Sequence, residues 1–288
     1  MKRLRNIIAE IAGLEAFDMK TRVIAAVALL PALLAVVLFA PKVCTAILFA
    51  LMAAIGAYEL LAGTGAVKHM RLTVYTMVSG FWCVLWCGLQ LSYGWLLFGV
   101  VAFWIALFAE VMASQMKLGL DKLAICFVGG VIVPLLFGSV VRIFFMEAGV
   151  LYIFIPFILA FLSDTGAYFA GLTFGKHKLA PTISPKKTVE GLVGGVLGAV
   201  VGMLVYCLVL DVFFRMPVNY GIGAVYGILG SLAGVFGDLC FSVIKRQYGI
   251  KDYGNLIPGH GGILDRFDSM MVVGPLAEVL LLLLPFVM

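Results

Sequence analysis

Nine long apolar runs constrain the fold of this chain more than any other feature of its sequence. They cover approximately residues 23–40, 43–62, 72–91, 94–113, 121–144, 149–171, 189–212, 220–243 and 270–287. A helix that crosses a bilayer needs about 20 such residues, and helix formation satisfies all the backbone hydrogen bonds of a segment in lipid. The sequence therefore predicts an all-α polytopic membrane protein with about nine transmembrane helices.

Positive charge alternates between the two ends of these runs. If the N-terminus is cytoplasmic, all but three of the 20 Lys and Arg residues fall on the cytoplasmic side, the exceptions being Lys42, Arg142 and Arg215. Cytoplasmic loops of membrane proteins carry such an excess. We therefore expect a cytoplasmic N-terminus, and the net charge of +5 indicates topology and gives no reason to expect nucleic-acid binding.

The chain divides into three parts by composition. Residues 1–22 are basic and partly amphipathic, which predicts a cytoplasmic segment lying in the membrane interface. Residues 23–154 contain the N-terminal membrane helices and little chemistry, since Glu59 and Glu110 lie near span ends where an acid can reach the interface. Residues 155–288 contain most polar motifs and are expected to form a C-terminal catalytic membrane region.

One polar segment (residues 242–268) stands out from the apolar background, with the sequence SVIKRQYGIKDYGNLIPGHGGILDRFD. Its basic side chains suit phosphate, its carboxylates suit a divalent cation, and its glycines let backbone N–H groups approach an anion. Asp238 shares a helix face with Ser242 and Lys245. Asp265 and Asp268 are expected to be neighbours on the first turn of the ninth span. Three carboxylates facing one cytoplasmic pocket favour Mg²⁺.

A second candidate group lies at the end of the sixth span, in the sequence SDTGAYFAG. Asp164, Tyr168 and Gly171 share one helix face there. An ionisable residue inside a span is a functional candidate. Structural pairing of Asp164 with a basic neighbour is the alternative.

The loop that follows predicts a phosphate site. Ser184 followed by Pro185 is typical of a helix N-cap and first helical position. Lys186 and Lys187 would then lie in the first turn, where cations oppose the helix dipole. A bound anion would remove this conflict. Together, these groups predict a cytoplasm-facing site for phosphoryl or nucleotidyl transfer between a lipid and a soluble substrate.

The polar segment resembles the signature of the phosphatidate cytidylyltransferases, also called CDP-diacylglycerol synthases. The match reads S-x-I-K-R-x4-K-D-x-G-x2-I-P-x-H-G-G-I-x-D-R-F-D, and the motifs S-D-T-G-A-Y-x2-G and I-S-P-K-K-T-x-E-G are also similar, so the resemblance covers roughly residues 155–288. It implies that CTP and phosphatidic acid condense to CDP-diacylglycerol and pyrophosphate. It also implies a homodimeric enzyme of the bacterial inner (plasma) membrane that depends on Mg²⁺ and is aided by a monovalent cation such as K⁺.

The resemblance leads to a hypothesis for the mechanism, in which the lipid phosphate attacks the α-phosphorus of CTP. Asp238, Asp265 and Asp268 would hold the metal. The residues expected to bind the triphosphate and the lipid headgroup are Lys186, Lys187, Lys245, Arg246, Lys251 and Arg266. His260 and the backbone of Gly259, Gly261 and Gly262 would shape the loop around pyrophosphate. Asp164, Tyr168, Ser184 and Ser242 would complete the pocket.

Two other functions fit parts of the sequence. A transporter of a phosphorylated or anionic cargo would use intramembrane charge, but such proteins usually have paired repeats with polar breaks near the midplane. Here the charge is concentrated on one side and in one half of the chain. A CDP-alcohol phosphotransferase should carry four acids at helical spacing after an Asp-Gly pair, and this sequence lacks that pattern.

Overall fold

The computed structural model describes residues 31–115, 118–257 and 261–287. The interfacial segment predicted for residues 1–22 therefore lies outside the described residues. The first part of the predicted first span, residues 23–30, also lies outside them. Residues 31–39 of that span are helical.

Seven helices in the described part of the chain are long and apolar enough to cross a membrane. They are α1 (Lys42–Thr64), α2 (Met70–Leu89), α3 (Tyr93–Ala113), α4 (Leu120–Phe145), α5 (Gly149–Phe174), α6 (Val189–Phe214) and α7 (Tyr220–Gln247). A π-helical stretch, Val128–Ile132, interrupts α4. A short helix, α8 (Ile263–Phe267), precedes the shorter apolar helix α9 (Met270–Leu283). The seven long helices and α9 fall on predicted apolar runs, which confirms the polytopic all-helical membrane architecture.

A small antiparallel hairpin between α5 and α6 corrects the predicted helix start at Ser184. Strand β1 (Lys178–Ala180) pairs with β2 (Ser184–Thr188), and α6 begins only at Val189. The Thr188 hydroxyl is the N-cap and accepts a 3.1 Å hydrogen bond from the Gly191 N–H. This start places Glu190 in the first turn, where the negative charge of an acid interacts favourably with the helix dipole. The lysines of the motif lie outside the helix and avoid the predicted conflict.

Helices α5 and α6 pack with their backbones almost in contact, which fixes both ends of the hairpin. A Cβ atom on Gly194 would lie 2.8 Å from the Gly166 carbonyl oxygen, and one on Gly198 would lie 2.6 Å from the Leu162 carbonyl oxygen. Real Cβ atoms essentially never approach so closely, so both positions require glycine. Small residues allow this kind of approach between helices in membranes.

A partly buried ion pair joins α4 to α9. The guanidinium of Arg142 donates from Nε and Nη2 to the two carboxylate oxygens of Glu278, each at 2.7 Å. Arg142 Nη1 also donates to the Leu135 carbonyl oxygen at 3.1 Å. This bidentate geometry satisfies both charged groups in an apolar surrounding.

Removing one partner of this pair should destabilise the protein strongly. We expect Arg142→Met to lower the free energy of unfolding by about 2–3 kcal/mol, because it leaves the partly buried Glu278 carboxylate without a partner. The double variant Arg142→Met/Glu278→Leu should recover most of that loss, since it removes both charges. Denaturant titration of detergent-purified protein measures both values. Equal losses in the single and double variants would contradict this prediction.

Candidate active site

Helix α7 and the hairpin bring the first group of predicted site residues together. Asp238 and Ser242 lie one turn apart on α7, and the Ser242 hydroxyl donates to Asp238 Oδ1 at 3.2 Å. The ammonium group of Lys187, on β2, contacts the other oxygen, Asp238 Oδ2. The motif in the loop after the sixth predicted span therefore meets the motif at the end of the eighth.

A second group forms around Lys245, the next residue along the same face of α7. Its side chain is buried, and its Nζ atom lies 3.0 Å from Asp265 Oδ1 and 3.7 Å from Asp268 Oδ2. The two acids are therefore neighbours, but not on the first turn of the ninth span as predicted. Asp265 lies on the separate helix α8, Asp268 follows it, and α9 begins at Met270.

The carboxylate of Asp265 also fixes the backbone of the polar segment. Its Oδ2 atom accepts hydrogen bonds from the N–H groups of Tyr253 at 2.7 Å and Gly262 at 3.1 Å. Gly261 has φ = +83°, a conformation that L side chains rarely adopt. The glycines here thus shape a tight turn, and the N–H group of Gly262 is already bonded to Asp265.

A cavity of about 360 Å³ opens beside the hairpin. Its polar lining includes four predicted site residues, namely Asp164, Tyr168, Lys186 and Lys187. Its apolar lining includes Leu172, Leu179, Leu192 and Val235. The cavity therefore places cationic groups next to an apolar surface, the combination that a phosphorylated lipid requires.

Negative charge accumulates where these groups meet. Burial, with a smaller effect from the nearby carboxylates of Asp238 and Asp164, raises the pKa of the Asp268 carboxyl from its usual 3.8 to about 7, against the lowering effect of Lys245. The carboxylates of Asp164 and Asp238 therefore lie near enough to Asp268 to affect its pKa. Among the residues that the structure describes, no three His, Cys, Asp or Glu side chains form a ready metal-binding group.

The remaining predicted residues have more peripheral places. Arg246 links the hairpin to the polar segment, because its Nε donates to the Ile183 carbonyl oxygen at 3.2 Å and its Nη1 to that of Ile250 at 3.1 Å. Lys251 and Arg266 have exposed side chains, and Ser184 is the first residue of β2. Gly259 and His260 lie outside the described residues.

One residue that supports the site, Glu59 on α1, was not predicted from the sequence. Its side chain is buried inside the protein, not exposed at the end of the span. Its oxygens accept hydrogen bonds from the N–H groups of Ile263 at 3.0 Å and Leu264 at 2.8 Å, at the start of α8. The available signal was weak: Glu59 and Gly63 lie four residues apart, so an acid and a small residue share one helix face.

The chain is similar in sequence to known proteins. A model of the cytidylyltransferase family matches residues 20–284. A phosphatidate cytidylyltransferase of Staphylococcus saprophyticus is 46% identical over 134 residues, which are 46% of this chain and 50% of that protein. One from Staphylococcus aureus is 42% identical over 142 residues, or 48% of this chain and 53% of that protein.

The chain thus spans about half the length of the curated relatives that it matches. The family match, in contrast, runs from residue 20 to residue 284 and includes all the described helices that form the candidate site. On this evidence, the chain belongs to the cytidylyltransferase family.

Proposed function

We propose that this protein transfers the cytidylyl group of CTP to phosphatidic acid, giving CDP-diacylglycerol and pyrophosphate. The contact of Lys187 with Asp238 carries the proposal, because it joins two motifs and Lys187 also lines a cavity that is both cationic and apolar. The family match and the names of the relatives support the same reaction.

The chemistry asks for charge neutralisation and alignment more than for a strong base. A lipid phosphate is already a nucleophile at neutral pH, and its oxygen would attack the α-phosphorus of CTP while pyrophosphate leaves. Lys186 and Lys187 line the cavity, where they are placed to bind phosphate oxygens. Lys245, held by Asp265 and Asp268, adds a buried positive charge on the same face of α7 as Asp238. Such preorganised charges stabilise the transition state of phosphoryl and nucleotidyl transfer.

We further propose Mg²⁺ as the cofactor, with a monovalent cation such as K⁺ as an auxiliary. Asp238 and Asp268 fit a cation best, since two acids raise the pKa of the Asp268 carboxyl and a bound cation would relieve that repulsion. The fit of Asp265 is poorer, because its Oδ2 atom is held by two backbone N–H groups and its Oδ1 atom by Lys245. Both oxygens of Asp238 also have partners, but these are the side chains of Ser242 and Lys187, which can turn away from a bound cation. When bound, Mg²⁺ would neutralise phosphate charge and orient the triphosphate.

Finally, we propose a nine-span topology with a cytoplasmic N-terminus, the site on the cytoplasmic side, and a homodimer in the bacterial inner membrane. The distribution of Lys and Arg supports this orientation. It would let CTP reach the cavity from the cytoplasm while the lipid arrives from the bilayer.

The reaction can be tested with detergent-purified protein. We expect CDP-lipid and pyrophosphate to form only when CTP, phosphatidic acid and Mg²⁺ are all present. Asp238→Asn should lower kcat/KM by about 100-fold or more, as the loss of one preorganised charge commonly does. Asp211→Asn is the matched control. Asp211 is also an acid on a membrane helix that accepts a side-chain hydrogen bond, but its donor is the Tyr220 hydroxyl, away from the site. Absence of product from well-folded wild-type protein would contradict the proposed reaction.

The stability of the metal-free protein should depend on pH through Asp268. Its folded-state pKa of about 7 exceeds its usual 3.8, so the folded state binds this proton more tightly. The stabilising contribution is complete below about pH 4 and is lost as pH rises toward 7, at no more than about 1.4 kcal/mol per pH unit.

Unfolding of the wild type and of Asp268→Asn in chelator, between pH 5 and pH 8, measures this contribution. The wild type should lose stability relative to the variant as pH rises. Mg²⁺ at pH 8 should stabilise the wild type more than it stabilises the variant. Parallel pH profiles for the two proteins would show that Asp268 does not titrate in this range.

The topology predicts which loops are accessible from outside the cell. In a chain whose natural cysteines are replaced by alanine, Pro217→Cys lies between α6 and α7, and Lys178→Cys lies on β1. An impermeant maleimide should label Pro217→Cys in intact spheroplasts and Lys178→Cys only after permeabilisation. The reverse pattern would invert the proposed orientation.

A further inference from the structure

The last turn of α1 lies directly against the polar segment. A Cβ atom on Gly63 would be only 2.9 Å from the carbonyl carbon of Tyr253, so only glycine allows this approach of helix to loop. Glu59 lies one turn earlier on the same face of α1. The N-terminal half of the chain therefore supplies a surface on which the polar segment rests.

The carboxylate of Glu59 lies between two parts of that segment's backbone, at Gly254 and at Gly262. A Cβ atom on Gly254 would lie 2.7 Å from Glu59 Oε1, and one on Gly262 would lie 2.5 Å from Glu59 Cδ. Both glycines are thus required for the carboxylate to reach the backbone. Its two oxygens then accept from the N–H groups of Ile263 and Leu264.

These contacts give hydrogen-bond acceptors to backbone N–H groups at the start of α8. The first N–H groups of any helix lack partners within the helix, and a helix of five residues is too short to be stable alone. Asp265 accepts the N–H of Gly262, and Glu59 accepts the next two. An external carboxylate is therefore part of what holds α8 in place.

We propose that Glu59 is a positioning residue for the reaction, and this inference rests on the proposed function. Among the described residues, the hydrogen bonds of Glu59 are to the backbone of Ile263 and Leu264, and Glu59 is not part of the cavity lining, so it acts by fixing the start of α8. Three site residues follow directly on that helix or at its end, namely Asp265, Arg266 and Asp268. A displacement of about 1 Å at a reacting centre can cost about 100-fold in rate, so a loose α8 would impair catalysis while the membrane helices stay folded.

The test is Glu59→Gln, which keeps size and shape but replaces one acceptor oxygen by an NH₂ group. That group cannot accept from a backbone N–H, so one of the two hydrogen bonds to α8 is lost. We expect kcat/KM for CTP to fall by about 10- to 100-fold. We also expect faster amide hydrogen exchange confined to a peptide spanning residues 261–267, with an unchanged exchange pattern in α5 and α6.

Glu110→Gln is the matched control. Glu110 is also a buried acid near the end of an N-terminal membrane helix, but its described partners are Arg71 at 3.4 Å and His69 at 3.5 Å. Its substitution should leave both kcat/KM for CTP and exchange in residues 261–267 at wild-type values. Glu59→Asp, which keeps the charge but shortens the reach, should retain more activity than Glu59→Gln.

The outcomes separate this inference from the proposed function. Unchanged exchange in residues 261–267 of Glu59→Gln, or exchange that rises equally throughout the chain, would overturn the positioning role whatever the activity. Wild-type kcat/KM in Glu59→Gln with faster local exchange would also overturn it, since α8 could then move without consequence. A wild type that makes no CDP-lipid would overturn the proposed function, and the exchange data would still report whether Glu59 holds α8.

Discussion

A buried ammonium group shared by two carboxylates is the interaction on which the candidate site depends. Lys245 lies within 3.0 Å of Asp265 and 3.7 Å of Asp268, and all three side chains are almost fully buried. Charges so far from water are tolerated only when they are paired and hydrogen-bonded. This pairing fixes the end of α7 against α8, and it thereby sets where the acids lie relative to the hairpin and the cavity.

The same need for partners explains why the irregular polar segment can exist next to membrane helices. Backbone N–H groups without partners are costly in an apolar surrounding. Asp265 accepts from Tyr253 and Gly262, and Glu59 accepts from Ile263 and Leu264. Two carboxylates therefore replace the regular hydrogen bonds that a long helix would provide. The carboxylate of Asp265 also binds the ammonium group of Lys245.

The sequence predicted what depends on local periodicity. Apolar runs located the membrane helices, and helical spacing placed Asp238, Ser242 and Lys245 on one face, where the structure finds them in contact with the rest of the site. It failed where the partner is distant along the chain or the competing structure is a strand. Glu59 bonds to backbone 204 and 205 residues away. The helix predicted to start at Ser184 is instead the strand β2, which pairs with β1, and no local sequence pattern predicts this pairing.

These two failures concern the same physical question, namely what satisfies the ends of short elements between membrane helices. At the hairpin, Thr188 caps α6 and the lysines remain outside the helix, so their charges face the cavity and do not oppose a dipole. At α8, the cap comes from α1. The chain's polar motifs lie mostly after residue 155, but the contacts that hold them extend into the N-terminal helices. The division at residue 155 therefore describes where the chemistry lies in the sequence. The unit that positions this chemistry includes α1.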